Sequence, residues 1–596
     1  MPPPDRDFSL RAWFLLAIAL TGIALLVYGV SLRNSFVDFD DGVLIFKNPI
    51  VQGPTPTNVA KAFTSYDPEL YIPLTFVSYQ FDYLIAGLHP FLYHAHNLAL
   101  HIANALLVFW LALLLVRRKD LAILCALLFL VHPLNTEAVA WAAARKDLQS
   151  AFFFLFALAT YIVFLRSEKR LWHWLSIATF LLALLSKVTV ILLPFLLLAL
   201  DEFEGRPWRW KLVWEKALYF LLSLLFGIIA YGGKTAAIGN ATILDYILLG
   251  GKSVLFTLEK FLLPMHLSVL YPYTAPITLA SPHLLFSLFV MIALLVIVIV
   301  SRRWTRAMFL CACIFFLTIA PTFGNVNRGD GFLDFYFAFD RYAYLPMIGL
   351  LLLIAFAAKF LLEQRNEWRM FPLSLTIPTM IITTIFGVLA FRQSLVWAKT
   401  ETLFRNALAL YPNSHLAHNN VGNYLRDEGN ADGALAEYKA SIAIRPTARA
   451  WYNVGLIDLD KNLLPAAKKA FAQALALDPH HARAHLNLGT LLSAENNIDE
   501  ATTHFEAAAT SDPTLEAAFF NLGILYAKKG DPQSAITAFQ QALILDPHDA
   551  EAWGRLAQIQ NQIGEKSDAQ ESARRALAIN PKEEHALNVA TGEERR

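Results

Sequence analysis

The sequence predicts an all-α fold in two parts, a polytopic membrane domain followed by a solenoid of paired helices. Three observations carry this. The 596 residues are 56% hydrophobic and only 16% charged, with a mean hydropathy of +0.45, whereas an average soluble chain is about one quarter charged. Nearly all apolar runs of spanning length lie before residue 391, so the lipid-embedded part is there. The remainder is polar, Ala-rich and periodic: Pro412, Pro446, Pro479, Pro513, Pro547 and Pro581 are spaced by 34, 33, 34, 34 and 34 residues.

The apolar runs fall at 12–30, 96–116, 120–134, 148–165, 171–186, 187–201, 216–231, 282–300, 306–321, 343–361 and 371–390, which predicts about eleven transmembrane helices. The pair meeting at Lys187 reads either as two spans or as one broken helix. The first run is long for a signal-peptide core and reads as an uncleaved helix. Basic residues mark one side of the membrane: Arg6 and Arg11, Arg117 to Lys119, Arg166 to Arg170, Arg206 to Lys211, Arg302 to Arg306, and Arg365 with Arg369. Eleven spans put every cluster in the cytoplasm. The N-terminus is then cytoplasmic, and the first large loop, 31–95, is extracytoplasmic together with everything after 391. Segment 244–273 mixes Lys252, Glu259 and Lys260 with aliphatics and reads as a helix along the interface.

The 34-residue period is that of tetratricopeptide (TPR) repeats. Within a unit Gly489 precedes Ala501, Phe505, Ala508 and Pro513, and Gly523 precedes Ala535, Phe539, Ala542 and Pro547. Small residues let the paired helices approach, an aromatic fills the space between them, and Pro ends the second helix. The domain reading is 1–391 membrane domain, 392–414 connecting helix or half repeat, 415–583 five repeats and 584–596 a frayed tail ending in "GEERR". The fifth unit, with Ala557 and Ala573 at the Gly and aromatic positions, reads as a solvent-facing cap. Such an array binds a protein or peptide in its concave groove.

A net charge of +1 gives no argument for a nucleic-acid partner. Cys125, Cys311 and Cys313 all lie in apolar runs and supply neither a disulfide framework nor a Cys-type metal site. Candidate chemistry gathers on the outer side. "SFVDFDDGVLIFKNP" places Asp40 and Asp41 just beyond the first span. "HPLNTEAVAWAAARKDL" carries His132, Glu137, Arg145, Lys146 and Asp147. Lys187 stands at a span junction, and Asp340, Arg341 and Tyr342 begin the tenth span. Singly, each has an ordinary reading: a solvated turn, a helix cap or an arginine reaching for headgroups. Charges this close to lipid are costly unless they pair or line a polar cavity. Together the types fit glycosyl transfer from a lipid phosphate. A carboxylate accepts the acceptor's proton, and Arg and Lys stabilise charge on the departing phosphate.

The pieces "FVDFDDGVLIFKNP", "YIPLT", "FLYHAHNLALHIANALL", "LFLVHPLNTEAVAWAAARKDL", "LLSKVTVILLP" and "DRYAYLPMIGL", followed by the repeats, resemble the transmembrane and tetratricopeptide-repeat O-mannosyltransferases. The resemblance implies a C-type glycosyltransferase fold and a catalytic acidic pair at Asp40 and Asp41; either acid can take the proton, and Asp40 is read as the base with Asp41 as its partner or as the group that orients the acceptor. It further implies a polyprenyl-phosphate mannose donor and protein Ser or Thr acceptors. Arg145, Lys187 and Arg341 are the candidates for the donor phosphate, with His132, Glu137, Lys146, Asp147 and Tyr342 in support. No metal or other cofactor is required, although Asp40 with Asp41 can bind a divalent ion weakly. Partners are membrane lipid, the lipid-linked sugar and a protein held by the repeats. The membrane is the inner membrane if the protein is bacterial and the endoplasmic reticulum if it is eukaryotic. The array is shorter than in animal members, and Val188 follows Lys187 where an acid is expected. Two rival readings need no base: a scaffold presenting the repeats for envelope assembly, and a handler of lipid-linked sugars without transferase activity.

Overall fold

The computed structural model describes residues 9–66, 70–234, 242–303, 305–325, 335–364 and 373–591. Arg6, Arg365 and Arg369 of the charge pattern, and the terminal "GEERR", lie outside them. The chain divides into two compact units, Met1–Pro412 and Asn413–Arg596. Helices make both, and among the described residues the only strand pairing is the two-residue antiparallel contact of Pro272–Tyr273 with Phe335–Tyr336.

The first unit is that of a multi-pass membrane protein. Among the described residues each of the eleven apolar runs contains helix, but length separates them. Among the described residues, seven helices are long and apolar enough to cross a membrane: Leu10–Arg33, Pro90–Val116, Ala142–Ser167, Pro282–Ser301, Arg306–Phe323, Pro346–Gln364 and Thr376–Val396. Lys119–Val131 and Pro133–Ala140 pass that test only together, bent by 53°. Pro133 explains the bend, since it lacks the N–H that would continue the helix. Arg170–Ser186 and Ala217–Gly233 are shorter. The run 187–201 does not begin a helix at Lys187; Val188–Val190 makes one tight turn, and Leu193–Phe203, with Pro194 in its first turn, follows. Segment 171–201 is therefore two helices with a break at the lysine.

Helix Arg145–Ser167 lies at the centre. It packs antiparallel to Arg170–Ser186 and against Pro90–Val116, and its buried alanines 151, 157 and 159 allow close approach. By contrast Pro282–Ser301 and Thr376–Val396 are 17% and 11% buried over their apolar windows, as expected of helices whose outer faces meet lipid.

The region 31–95 is far from a plain loop. It holds helices Pro56–Thr64 and Pro73–Ala86, and Gly42–Phe46 forms one π-helical turn directly after the Asp pair. The predicted connecting helix is Thr400–Leu410 and packs within the first unit, behind that Asp pair. Ser35 N–H donates to the Ala398 carbonyl at 3.0 Å and Asp38 N–H to Thr400 Oγ1 at 2.9 Å. The Phe39 and Phe404 rings sit 5.9 Å apart.

The second unit is the expected array of five helix pairs, from His415–Asp427 with Ala431–Ile444 to Ala550–Gln562 with Lys566–Ile579. In the first four pairs a glycine of one helix faces an aromatic ring of the next. A Cβ on Gly422, Gly455, Gly489 or Gly523 would stand 2.5–2.8 Å from Tyr438, Phe471, Phe505 or Phe539. In the fifth pair Ala573 replaces the ring and leaves room for the Cβ of Ala557; both are buried. The tail is not frayed from 584: Glu584–Thr591 is a further helix packed on the fifth pair, with Ala586 and Val589 against Ala557 and Ala573. The outermost cover of the array is this helix, not the fifth repeat.

Candidate functional site

Two short segments build the site. After the first helix the chain turns through "VDFDDG", and the Asp41 carboxylate closes the turn by accepting the Val37 N–H at 2.8 Å. Its other oxygen accepts the Ala143 N–H, also at 2.8 Å. Asp41 is fully buried, and burial pushes its carboxyl up to about 7 against the opposing pull of those two N–H groups. Asp40, one residue earlier, projects the other way and stays a quarter exposed, with Oδ2 3.9 Å from Lys146 Nζ.

The second segment is "HPLNTEAVAWAAARKDL". The bend at Pro133 leads into Thr136–Ala140, then a tight turn Ala142–Ala144, then the central helix from Arg145. That path delivers Lys146 and Asp147 beside Asp40. Lys187, at the break after Ser186, pairs with Asp147. Arg341 arrives from the turn before helix Pro346–Gln364 and pairs with Glu137, which also accepts the Arg341 N–H at 3.0 Å. The Arg341 guanidinium lies over three rings, 4.2 Å from Phe339, 5.0 Å from Trp141 and 5.1 Å from Tyr342, and Lys146 lies 5.3 Å from Trp141. Lys146 feels the charges of Asp40, Asp147, Lys187 and Arg341, and Arg341 feels those of Asp40 and Asp147.

Between them is a cavity of about 30 Å³ lined by Asp147, Lys187, Arg341 and Tyr342, with the hydroxyls of Ser150, Thr189, Thr318 and Thr322. Two buried polar atoms of its lining, Arg341 Nε and Asp147 Oδ2, make no hydrogen bond among the described residues. An unpaired buried donor on a cationic wall suits an anionic oxygen.

Two of the predicted residues are not brought to this place. Arg145 points away, fully buried, and pairs with Asp82. It also donates to Asn97 Oδ1 at 3.0 Å and to the Tyr93 carbonyl at 2.9 Å, with the Tyr79 ring at 4.7 Å. These bonds hold helices Pro73–Ala86 and Pro90–Val116 to the central helix and direct the guanidinium away from the cavity. His132 is buried too. Its Nε2 donates to the Phe261 carbonyl at 3.0 Å, its Nδ1 accepts the Leu134 N–H at 3.3 Å, and its ring stacks on Phe261. Both nitrogens therefore serve the bend. Asp340, beside Arg341, accepts the Tyr271 hydroxyl at 2.7 Å; burial and the neighbouring Glu137 charge raise its carboxyl well above the usual range.

Several residues had no clear signal in the sequence. Asp82 is a lone carboxylate in an apolar helix, a sign that it needs a partner, but not of which. Trp141 sits inside the quoted motif, yet only the fold shows its ring between Lys146, Arg341 and Trp397. No group of three or more His, Cys, Asp or Glu that could hold a metal ion occurs among the described residues. Asp41, with both oxygens accepting backbone N–H groups, is poorly placed to share an ion with Asp40.

The repeat region matches the family model of the tetratricopeptide repeat at residues 390–449, 452–516 and 520–584. Along most of its length the chain is similar to O-mannosyl-transferases. It is 24% identical over 517 residues to protein O-mannosyl-transferase TMTC1 of Homo sapiens, covering 74% of this chain and 57% of that one. With TMTC4 of Homo sapiens it shares 26% over 491 residues, covering 71% and 66%. The chain thus spans less than two thirds of the length of either relative. Among solved structures, the tetratricopeptide protein YrrB is 23% identical, with a TM-score of 0.29, covering 32% of this chain and 97% of that one.

Proposed function

We propose that this chain, similar over about 70% of its length to protein O-mannosyl-transferases, is a membrane glycosyltransferase. In this reading it moves a hexose, mannose by analogy with the relatives' names, from a polyprenyl phosphate to Ser or Thr hydroxyls of proteins. The observation that carries it is the meeting of Asp40, Lys146, Asp147, Lys187 and Arg341 beside a cavity where Arg341 Nε has no hydrogen-bond partner among the described residues.

The chemistry is a single displacement. The Asp40 carboxylate takes the acceptor's hydroxyl proton as that oxygen attacks the anomeric carbon. The bond from that carbon to the phosphate oxygen breaks, and the lipid phosphate leaves with the electron pair. Lys187 and Arg341 face the developing phosphate charge, and Lys146, 3.9 Å from Asp40, orients it. A phosphate leaving group needs no general acid. Asp41 acts through position: it fixes the turn that aims Asp40.

The clustering of basic residues in the short loops supports an extracytoplasmic site with a cytoplasmic N-terminus; in this reading the repeats are extracytoplasmic too and recruit the acceptor or a partner. The deciding experiment offers polyprenyl-phosphate [14C]mannose and an acceptor peptide to the purified full chain and to Asp40→Asn. Loss of transfer with unchanged donor binding supports the base. Unchanged transfer removes it and favours a scaffold or a non-transferring lipid handler.

A further inference from the structure

The central antiparallel pair has two ends. One carries Lys146, Asp147 and Lys187. The other, roughly 30 Å away by helix rise, carries a second and larger cavity of about 470 Å³, lined by Phe164, Leu165, Glu168, Arg170, His173 and Trp174, with Arg206 completing it.

Its lining is mixed in a specific way. Arg206 is largely compensated, donating to Asp201 at 2.9 Å and to Glu215 at 2.7 Å. Arg170 is exposed, without an ion pair among the described residues, and begins helix Arg170–Ser186, so the helix dipole adds to its positive charge. Glu168 contributes one carboxylate at the same rim. Aromatic rings line the same cavity and touch one another: His173 lies 4.7 Å from Phe164 and 6.0 Å from Trp174.

The surroundings belong to a membrane interface. Trp174, Trp208, Trp210 and Trp214 are all at least 59% exposed, and large exposed tryptophans gather at headgroup level. Leu171, 73% exposed, extends the apolar surface from the cavity towards the hydrocarbon. A cation, a carboxylate and a ring within one interfacial cavity match a headgroup that carries a phosphate and a protonated amine.

We propose that this cavity binds an aminophospholipid, with phosphate on Arg170, ammonium on Glu168 and Trp174, and acyl chains along Leu171. The site is separate from the glycosyl-transfer site and stands or falls without it.

The test is native mass spectrometry of the full chain in detergent, titrated with phosphatidylethanolamine or phosphatidylglycerol, with inorganic phosphate as competitor. The wild type retains phosphatidylethanolamine preferentially. Glu168→Gln removes the preference and leaves phosphatidylglycerol binding unchanged. Arg170→Gln weakens both lipids about fivefold, and Trp174→Ala, which carries no charge, weakens phosphatidylethanolamine. Arg117→Gln, a charge loss at the same end but outside the cavity, changes nothing. The proposal is overturned by absence of preference in the wild type, by unaltered binding in Glu168→Gln and Arg170→Gln, by an equal loss in Arg117→Gln, or by displacement of the lipid by millimolar phosphate.

Discussion

The carboxylate of Asp41 reaches across 102 residues of sequence to accept the backbone N–H of Ala143 at 2.8 Å. This one bond fastens the acidic turn that follows the first helix to the start of the central helix. It sets two neighbouring acids apart: Asp41 is buried with both oxygens on backbone N–H groups, and Asp40 stays a quarter exposed, 3.9 Å from Lys146.

Asp41→Asn keeps one acceptor oxygen for two N–H donors, so one donor is left unsatisfied and stability falls by about 1–3 kcal/mol. A pH dependence accompanies it. With its carboxyl raised to about 7 in the folded protein, Asp41 binds its proton more tightly folded than unfolded. Its contribution is fully present below the ordinary carboxylate range of about 4 and is lost as pH rises through 7. Melting in detergent across pH 4–8 checks this: the wild type should lose stability over that window relative to Asp41→Asn, and parallel curves would contradict it.

Asp40→Asn should lower transfer about a hundred- to ten-thousandfold and leave the melting temperature within a degree or so of wild type. The side chain is a quarter exposed and its contact with Lys146 is long, at 3.9 Å, so little folding energy rests on it. Single-turnover assays with saturating donor measure the first effect, and thermal unfolding the second.

Lys187→Met removes a cation from the cavity wall while keeping the length of the side chain. The donor's KM should rise about ten- to a hundredfold, the worth of a charged hydrogen bond, with acceptor KM little changed. An effect on acceptor KM alone would move Lys187 from the phosphate to the acceptor side.

Asp82→Asn should behave differently from all three. It strips the buried Arg145 guanidinium of its ion pair, which costs about 3–5 kcal/mol. Yield and melting temperature fall, while activity per folded molecule, read by active-site titration, stays within a few-fold. A selective loss of donor binding would instead put Arg145 back at the phosphate.

In the repeats, Gly489→Ala places a Cβ 2.8 Å from the Phe505 ring. Overpacking of this kind costs about 1–3 kcal/mol. The pair Gly489→Ala with Phe505→Ala should recover much of that loss, because the fifth repeat already packs with Ala557 and Ala573 at the equivalent positions. Differential calorimetry of the full chain resolves both.

What the sequence determined by itself was everything with a period or a run length. Apolar stretches before residue 391 and the 34-residue proline spacing depend on neighbours along the chain, so membrane helices, repeats and their order were legible. Asp40, Lys187 and Arg341 were visible as candidates because a charge beside an apolar run needs a partner or a polar cavity. Only the tertiary structure decided who pairs with whom. Arg145 meets Asp82 and Arg341 meets Glu137 across 63 and 204 residues, and Asp41 turns inward while Asp40 does not. A buried charge announces in sequence that it needs a partner, but the partner is chosen by how helices pack, and packing is not a local property of the chain.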